Sequence, residues 1–258
     1  MNKLQKKIVV PFTSLRKENK VSSSLETQCL FGETVFQLKT KNNWSYCNCK
    51  LDNYNGWIKT NNLGCLPKPN YVISNINTLA FKKPDLKSTL KCVLFFNSKI
   101  TVKLIFENWA EIVLKNNTTA FVPKSHISPI TSEEKNWIET ALNFLNSPYL
   151  WGGKNSLGMD CSGLVQISLE RAGLIIPRNS SQQLKFKSNL IKSTQLIQKG
   201  SLVFWKGHVA IAISKNDIIH SNSYHMSVQI EALDNAINRF SKTVGDIIEV
   251  KQVNLSVY

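Results

Sequence analysis

Arginine is nearly missing from this basic chain. Lysine and arginine together number 32 against 17 acidic residues, a formal charge of +15, yet the arginines are only Arg16, Arg171, Arg178 and Arg239. Base readout and bidentate phosphate recognition draw on the arginine fork, and here the lysines are scattered among asparagines instead of gathering on one face. Nucleic acid is therefore not an expected partner. An anionic polymer or a plain bias toward Lys and Asn accounts for the charge equally well.

Long apolar runs are missing too. No stretch approaches membrane-spanning length, and the N-terminal Lys3 to Pro11 holds only Ile8-Val9-Val10 as an apolar run, too short for the core of a secretory signal. The expectation is a cytoplasmic chain with no membrane partner. The six cysteines, Cys29, Cys47, Cys49, Cys65, Cys92 and Cys161, include no CxxC pair and no histidine at zinc-ligand spacing. Neither a structural zinc nor a disulfide framework is favoured, and Cys47-x-Cys49 reads as two residues on one strand face.

What is present falls into three stretches. From Ile8 to Leu66, short alternating runs (Phe12 to Leu15, Thr34 to Leu38, Trp44 to Cys47, Gly56 to Ile58) alternate with turn clusters, the pattern of a small barrel. Pro67-Lys68-Pro69 reads as a linker. A similar order then recurs: Thr78 to Pro84 parallels Val10 to Leu15, Trp109 to Val113 parallels Trp44 to Cys47, and Thr119 to Pro123 parallels Tyr54 to Ile58. This period of roughly sixty residues predicts two copies of one β-module, over residues 1–66 and 67–130. His126, in the second copy, reads as a surface residue.

At Thr131 the texture changes, and residues 131–258 form the third predicted domain. Thr131-Ser132-Glu133-Glu134 reads as a capping box for a helix carrying Trp137, Ile138, Ala141, Leu142 and Leu145, stopped by Pro148. Strands are expected over Leu202 to Trp205, His208 to Ile213, Asp217 to Ser221 and Ile247 to Val253, with a short helix near Asp234 to Phe240. Helices first and an antiparallel sheet after is an α+β layout.

Tyr149-Leu150-Trp151-Gly152-Gly153 leads into Met159-Asp160-Cys161-Ser162-Gly163-Leu164-Val165-Gln166. Asp160 is a natural N-cap for a helix that starts at Cys161 and ends at Gly173. A thiol there meets first-turn amides and the positive end of the helix dipole, which favour thiolate and predict a lowered pKa. A nucleophilic cysteine needs a base, and the base needs an orienting group. Of the four histidines, His208 opens one predicted strand after Gly207, taken to mark a close approach, and His220 ends the next. Antiparallel pairing brings the two together as a Cys161-His208-His220 triad, with His225 the fallback third member.

These motifs, with Ile176-Pro177-Arg178 and Gly207-His208-Val209-Ala210-Ile211, resemble the NlpC-type papain-like cysteine peptidases, enzymes that hydrolyse peptides of bacterial peptidoglycan. The modules in front look like bacterial SH3-type domains, as in the subgroup similar to dipeptidyl-peptidase VI. That subgroup cuts between γ-D-glutamate and a diamino acid in peptides with a free N-terminal L-alanine. The resemblance implies an α+β papain-like domain behind two small SH3-like barrels, acting on a murein-derived peptide in recycling, with no cofactor or metal. A hydrolase of intact wall, or a non-catalytic wall-binding protein, is the alternative.

It also implies roles. Cys161 attacks the γ-glutamyl carbonyl, His208 is the base, His220 orients it, and the Cys161 amide and Tyr149 hydroxyl hold the oxyanion. Asp160, Glu33 and Tyr54 match the positions that recognise the substrate ammonium, and two carboxylates with a phenol would reward a free N-terminus. Ser162, Arg178, Ser180 and Gln182 are the remaining substrate contacts, the last three expected on the diamino-acid side. Ser201 departs from the family pattern, which puts an aspartate after Gly200, and a structural hydrogen bond there is expected to change.

Overall fold

The computed structural model describes residues 4–187, 190–192, 197–253 and 255. The chain divides into two compact units, Met1–Ser132 and Glu133–Tyr258. In the first, strands Leu4–Ile8, Phe12–Arg16, Leu25–Leu30, Thr34–Lys41, Trp44–Cys49, Asn55–Lys59 and Leu63–Gly64 form one sheet. Strands Asn77–Phe81, Leu90–Phe95, Val102–Phe106, Trp109–Val113 and Thr119–Pro123 then repeat the middle of that order in a second sheet. In each copy a strand opening on tryptophan pairs antiparallel with the next, and one 3₁₀ turn follows, Thr60–Asn62 or Lys124–His126. The SH3-like architecture follows from this repeat of hairpins.

Alternation decides what each strand buries. Cys47 and Cys49 both point inward, joining Ile8, Leu15, Cys29, Val35 and Ile58 in one core, the three cysteines as free thiols. The turn Phe31-Gly32-Glu33 reaches the second module: Phe31 packs among Ile73, Leu94 and Ile112, and its carbonyl accepts from Lys99 N at 2.8 Å. Gly32 sits at φ +76°, and a Cβ there would fall 1.8 Å from the Lys99 carbonyl oxygen, so only glycine fits. His126 is half-buried, with Nδ1 2.8 Å from Thr78 Oγ1, and burial lowers its pKa. The expectation of a surface histidine misses that partner.

The second unit has helices α1 (Trp137–Leu142), α2 (Cys161–Arg171), α3 (Ser180–Lys185) and α4 (Leu233–Ser241). Its six-stranded antiparallel sheet runs in the order Leu190–Lys192, Glu249–Val253, Ser201–Trp205, His208–Ala212, Asp217–Asn222 and Ser227–Ala232. Helix α2 packs on the strands of His208 and His220, and α4 lays Leu233, Ala236 and Phe240 against Val203, Trp205, Ala210 and Ile218. The expected capping box does not form. The helix starts at Trp137 without a side-chain cap, because Glu134 N is spent on the Arg171 carbonyl and its carboxylate accepts from Asn136 N. Among the described residues no helix is long and apolar enough to cross a membrane.

Candidate active site

Helix α2 presents the thiol as its sequence demands. The Asp160 side chain accepts from Gly163 N at 2.7 Å, capping the helix, and Cys161 follows as its first residue. The far end closes in a Schellman arrangement, with Gly173 N on the Glu170 carbonyl and Leu174 N on the Leu169 carbonyl. Every residue of α2 is buried, so the helix cannot shift without disturbing the domain core.

The sheet supplies the base. Trp205 pairs with His208 across the two-residue turn Lys206-Gly207. Gly207 is required for its φ of +75° and not for a close approach, since nothing lies within 4 Å of where its Cβ would be. On the other side Ile211 faces Ile219 and Ala212 faces Ile218. Continuing that register sets Ala210 opposite His220, which makes His208 and His220 diagonal neighbours on one face. Their rings meet, His208 Nε2 lying 2.9 Å from His220 Nδ1. The Val209 N–H reaches the Cys161 sulfur, placing the thiol at the head of the His208 strand. His225 does not enter this chain; it is exposed and bonded to Asn222 Oδ1.

Burial pushes the Cys161 thiol up to about 12, and the Asp160 carboxylate adds to this against the N–H groups of Val209 and Ser162 and the charge of Arg178. Burial also holds His208 well below the usual histidine range, aided by His220 and Arg239, with Trp205 and Phe240 walling its ring. This corrects the expected thiolate. The lost hydration of the sulfur and a full negative charge at the N-cap outweigh the partial charge of the helix end. Both shifts favour a neutral thiol and a neutral imidazole before substrate binds, so the proton moves as the sulfur attacks.

Tyr149 lies near enough for the charges of Cys161 and Asp160 to act on it. Burial and those charges push its phenol up to about 12, so it stays a hydrogen-bond donor at neutral pH. Arg178 departs from expectation. It is 1% exposed, and its guanidinium bonds Asp160 Oδ1 and Oδ2, Ser162 Oγ and the Gly153 carbonyl, so it braces the nucleophile loop. Ser162 is drawn into the same clamp, its hydroxyl also donating to Asp160 Oδ1. Ser180 opens α3 half-buried, and Gln182 folds back on Asn179 N. Glu33 and Tyr54 belong to the first unit. Glu33 is buried in the turn after Leu25–Leu30, and the Tyr54 hydroxyl donates to Glu26 Oε2 at 2.9 Å. Ser201 fills the departing position with its hydroxyl, which accepts from Gln198 N and Gln252 Nε2.

One side chain bonded to the histidine pair has little signal in the sequence. Glu231 sits on the unanticipated strand Ser227–Ala232, with Oε2 2.9 Å from His220 Nε2. The alternation Val228-Gln229-Ile230-Glu231 was the available signal. It is weak because only Val228 is buried on this sheet edge.

Residues 146–244 match the NlpC/P60 family, and residues 15–63 match the bacterial dipeptidyl-peptidase Sh3 domain. The chain is 24% identical over 249 residues to dipeptidyl-peptidase 6 of Lysinibacillus sphaericus, covering 88% of this chain and 91% of that protein. It is 26% identical over 242 residues to a γ-D-glutamyl-L-lysine dipeptidyl-peptidase of Bacillus cereus, covering 83% and 72%. The crystal structure of an NlpC/P60 family protein from Bacillus cereus shares the fold, with a TM-score of 0.82 at 20% identity over 97% of this chain and 99% of that one. The thiol at the head of α2 and the two imidazoles beside it thus stand in a cysteine peptidase, a chain that carries an NlpC/P60-family domain behind a bacterial dipeptidyl-peptidase SH3 domain.

Proposed function

We propose that this chain hydrolyses the γ-D-glutamyl bond to a diamino acid in peptidoglycan stem peptides that carry a free N-terminal L-alanine, as a recycling enzyme of the cytoplasm. One observation carries the reading. The Cys161-His208-His220 site and a dipeptidyl-peptidase SH3 domain occur in one chain, in the order and over nearly the full length of a relative named dipeptidyl-peptidase 6.

In this reading the Cys161 sulfur bonds to the γ-carbonyl carbon as its proton passes to His208. The Cys161 amide and the Tyr149 hydroxyl hold the oxyanion. His208 returns the proton to the leaving amine, the C–N bond breaks, and water, activated by His208, cleaves the thioester to free the acid and the thiol. Recognition of the ammonium rests on Glu33 and Tyr54, by their motif positions, and on Asp160, whose carboxylate Arg178 fixes beside the nucleophile.

The test is mass spectrometry of the protein and its Cys161→Ala variant with L-Ala-γ-D-Glu-diaminopimelate, the lysine analogue, and N-acetylated twins of both. Cleavage of the free-amine peptides, far faster than the slow cleavage of their acetylated twins and lost in the variant, is the expected result. Equal cleavage of the acetylated twins would move the enzyme to intact wall, and cleavage of none would leave a wall-binding role.

A further inference from the structure

The Cys161-His208-His220 chain does not end at His220. His220 is fully buried, and its Nε2 lies 2.9 Å from Glu231 Oε2. The same carboxylate oxygen accepts from Arg239 Nη2, on α4, and the Arg239 guanidinium lies over the rings of Phe240 and Tyr224 at 4.5 and 4.6 Å. Phe240 in turn stacks on His208, with ring centroids 4.9 Å apart. A single helix therefore walls the base and anchors the far end of its hydrogen-bond chain.

A carboxylate paired with arginine accepts hydrogen bonds and cannot donate one. The contact with Glu231 consequently requires a proton on His220 Nε2, and a neutral His220 then has a bare Nδ1. That nitrogen can only accept, so the proton between the rings must sit on His208 Nε2. A neutral His208 with its proton on Nε2 has a bare Nδ1, the nitrogen able to take the thiol proton. Each step follows from one hydrogen bond per ring nitrogen, and the direction of the whole chain is set at its far end.

We propose that Glu231, held by Arg239, is a positioning residue that selects through His220 the tautomer of His208 able to act as base. The inference rests on the assignment of Cys161 and His208 as the reacting pair, but on no particular substrate. Without the carboxylate, His220 can carry its proton on Nδ1 and donate toward His208. His208 is then driven to keep its own proton on Nδ1, where it blocks the base. His220, His225 and Glu231 also bring three ligand atoms within 4.8 Å of one another, but Arg239 already occupies the carboxylate with a positive charge, which opposes a cation there.

The experiment is ¹⁵N NMR of the histidines in the substrate-free protein and in Glu231→Gln, alongside steady-state kinetics and the rate of Cys161 alkylation by iodoacetamide at pH 7. In the unsubstituted protein His208 should show an unprotonated Nδ1 and a protonated Nε2. In Glu231→Gln the protonated Nδ1 form should appear, with kcat and alkylation both reduced. The loss is expected on the order of 10²-fold with KM changed less than about 2-fold, smaller than the roughly 10⁴-fold seen when the group directly on a catalytic histidine is lost. A protonated His208 Nδ1 in the unsubstituted protein would overturn the proposal whether or not the variant folds. So would a Glu231→Gln protein with unchanged tautomer and rate, or activity abolished by a chelator, which would make the trio a metal site. The NMR and alkylation readouts need no peptide, so a wrong substrate and a wrong tautomer mechanism remain distinguishable.

Discussion

Arg178 grips Asp160 with both ends of its fork, Nη1 on Oδ1 and Nη2 on Oδ2, each at 2.8 Å. The carboxylate also accepts from Gly163 N and from Gly152 N, so one aspartate ties the Gly152 loop, the first turn of α2 and the Arg178 segment together around the nucleophile. Removing one partner of a buried pair leaves the other charge uncompensated and costs about 3–5 kcal/mol. Arg178→Ala should therefore lower the unfolding free energy of the catalytic domain, read from its denaturant transition, by that much. Arg178→Lys, which restores charge without the planar fork, should recover only part of it. An Ala variant as stable as the parent would mean that the clamp does not hold the loop.

Cys161 titrates high because its sulfur is dehydrated and next to Asp160, whereas His208 titrates low. Alkylation of Cys161 by iodoacetamide should then climb continuously from pH 7 to pH 10, as thiolate becomes available. A preformed thiolate and imidazolium pair would instead give a plateau from acidic pH upward. The stopped-flow pH profile separates the two, and such a plateau between pH 5 and pH 8 would contradict the neutral resting pair.

The legible parts of this chain were those whose signals are local. Cys161 after an Asp N-cap, Gly173 at the helix end and His208 at a strand head can each be read within a few residues, and the register of two adjacent strands brings in His220. The thiol's ionisation was not local, for it depends on how much water the folded sheet strips from the sulfur. The fate of Arg178 was hidden for the same reason, since an arginine beside a proline gives no hint that it is 1% exposed under the nucleophile loop. Thr131 to Glu134 misled because a good capping sequence lost its backbone to a tertiary contact with Arg171. Glu231 stayed hidden on an edge strand with one buried residue.

Acid should unfold the catalytic domain earlier than its carboxylates alone would dictate. His208 and His220 both have folded pKa values below the unfolded value near 6.5, lowered chiefly by burial. As pH falls through 6.5 the unfolded chain binds protons that the folded chain refuses, so their contribution is fully present above pH 6.5 and is lost on acidification. The slope reaches up to about 1.4 kcal/mol per pH unit for each histidine. Denaturant midpoints between pH 7.5 and pH 5.5 should fall for the parent and fall less for His208→Asn. Parallel curves would show that His208 takes up its proton in the folded state.

The ammonium reading turns on Glu33. In the first unit it sits in the turn whose Gly32 cannot bear a side chain, so its backbone is fixed by the close approach to Lys99. A carboxylate that pairs with a substrate ammonium contributes only when that ammonium is present, whereas one that merely supports the turn affects all substrates alike. Glu33→Gln keeps the shape and removes the charge. If Glu33 recognises the amine, kcat/KM for the free-amine peptide should drop on the order of 10- to 10²-fold, the range for a lost charge-assisted contact of roughly 1.5–3 kcal/mol. The slow cleavage of the N-acetylated twin should stay where it was, so that the ratio between the two substrates collapses. An equal loss on both peptides, or no loss on either, would return Glu33 to the turn alone and leave the free N-terminus to be read by other residues.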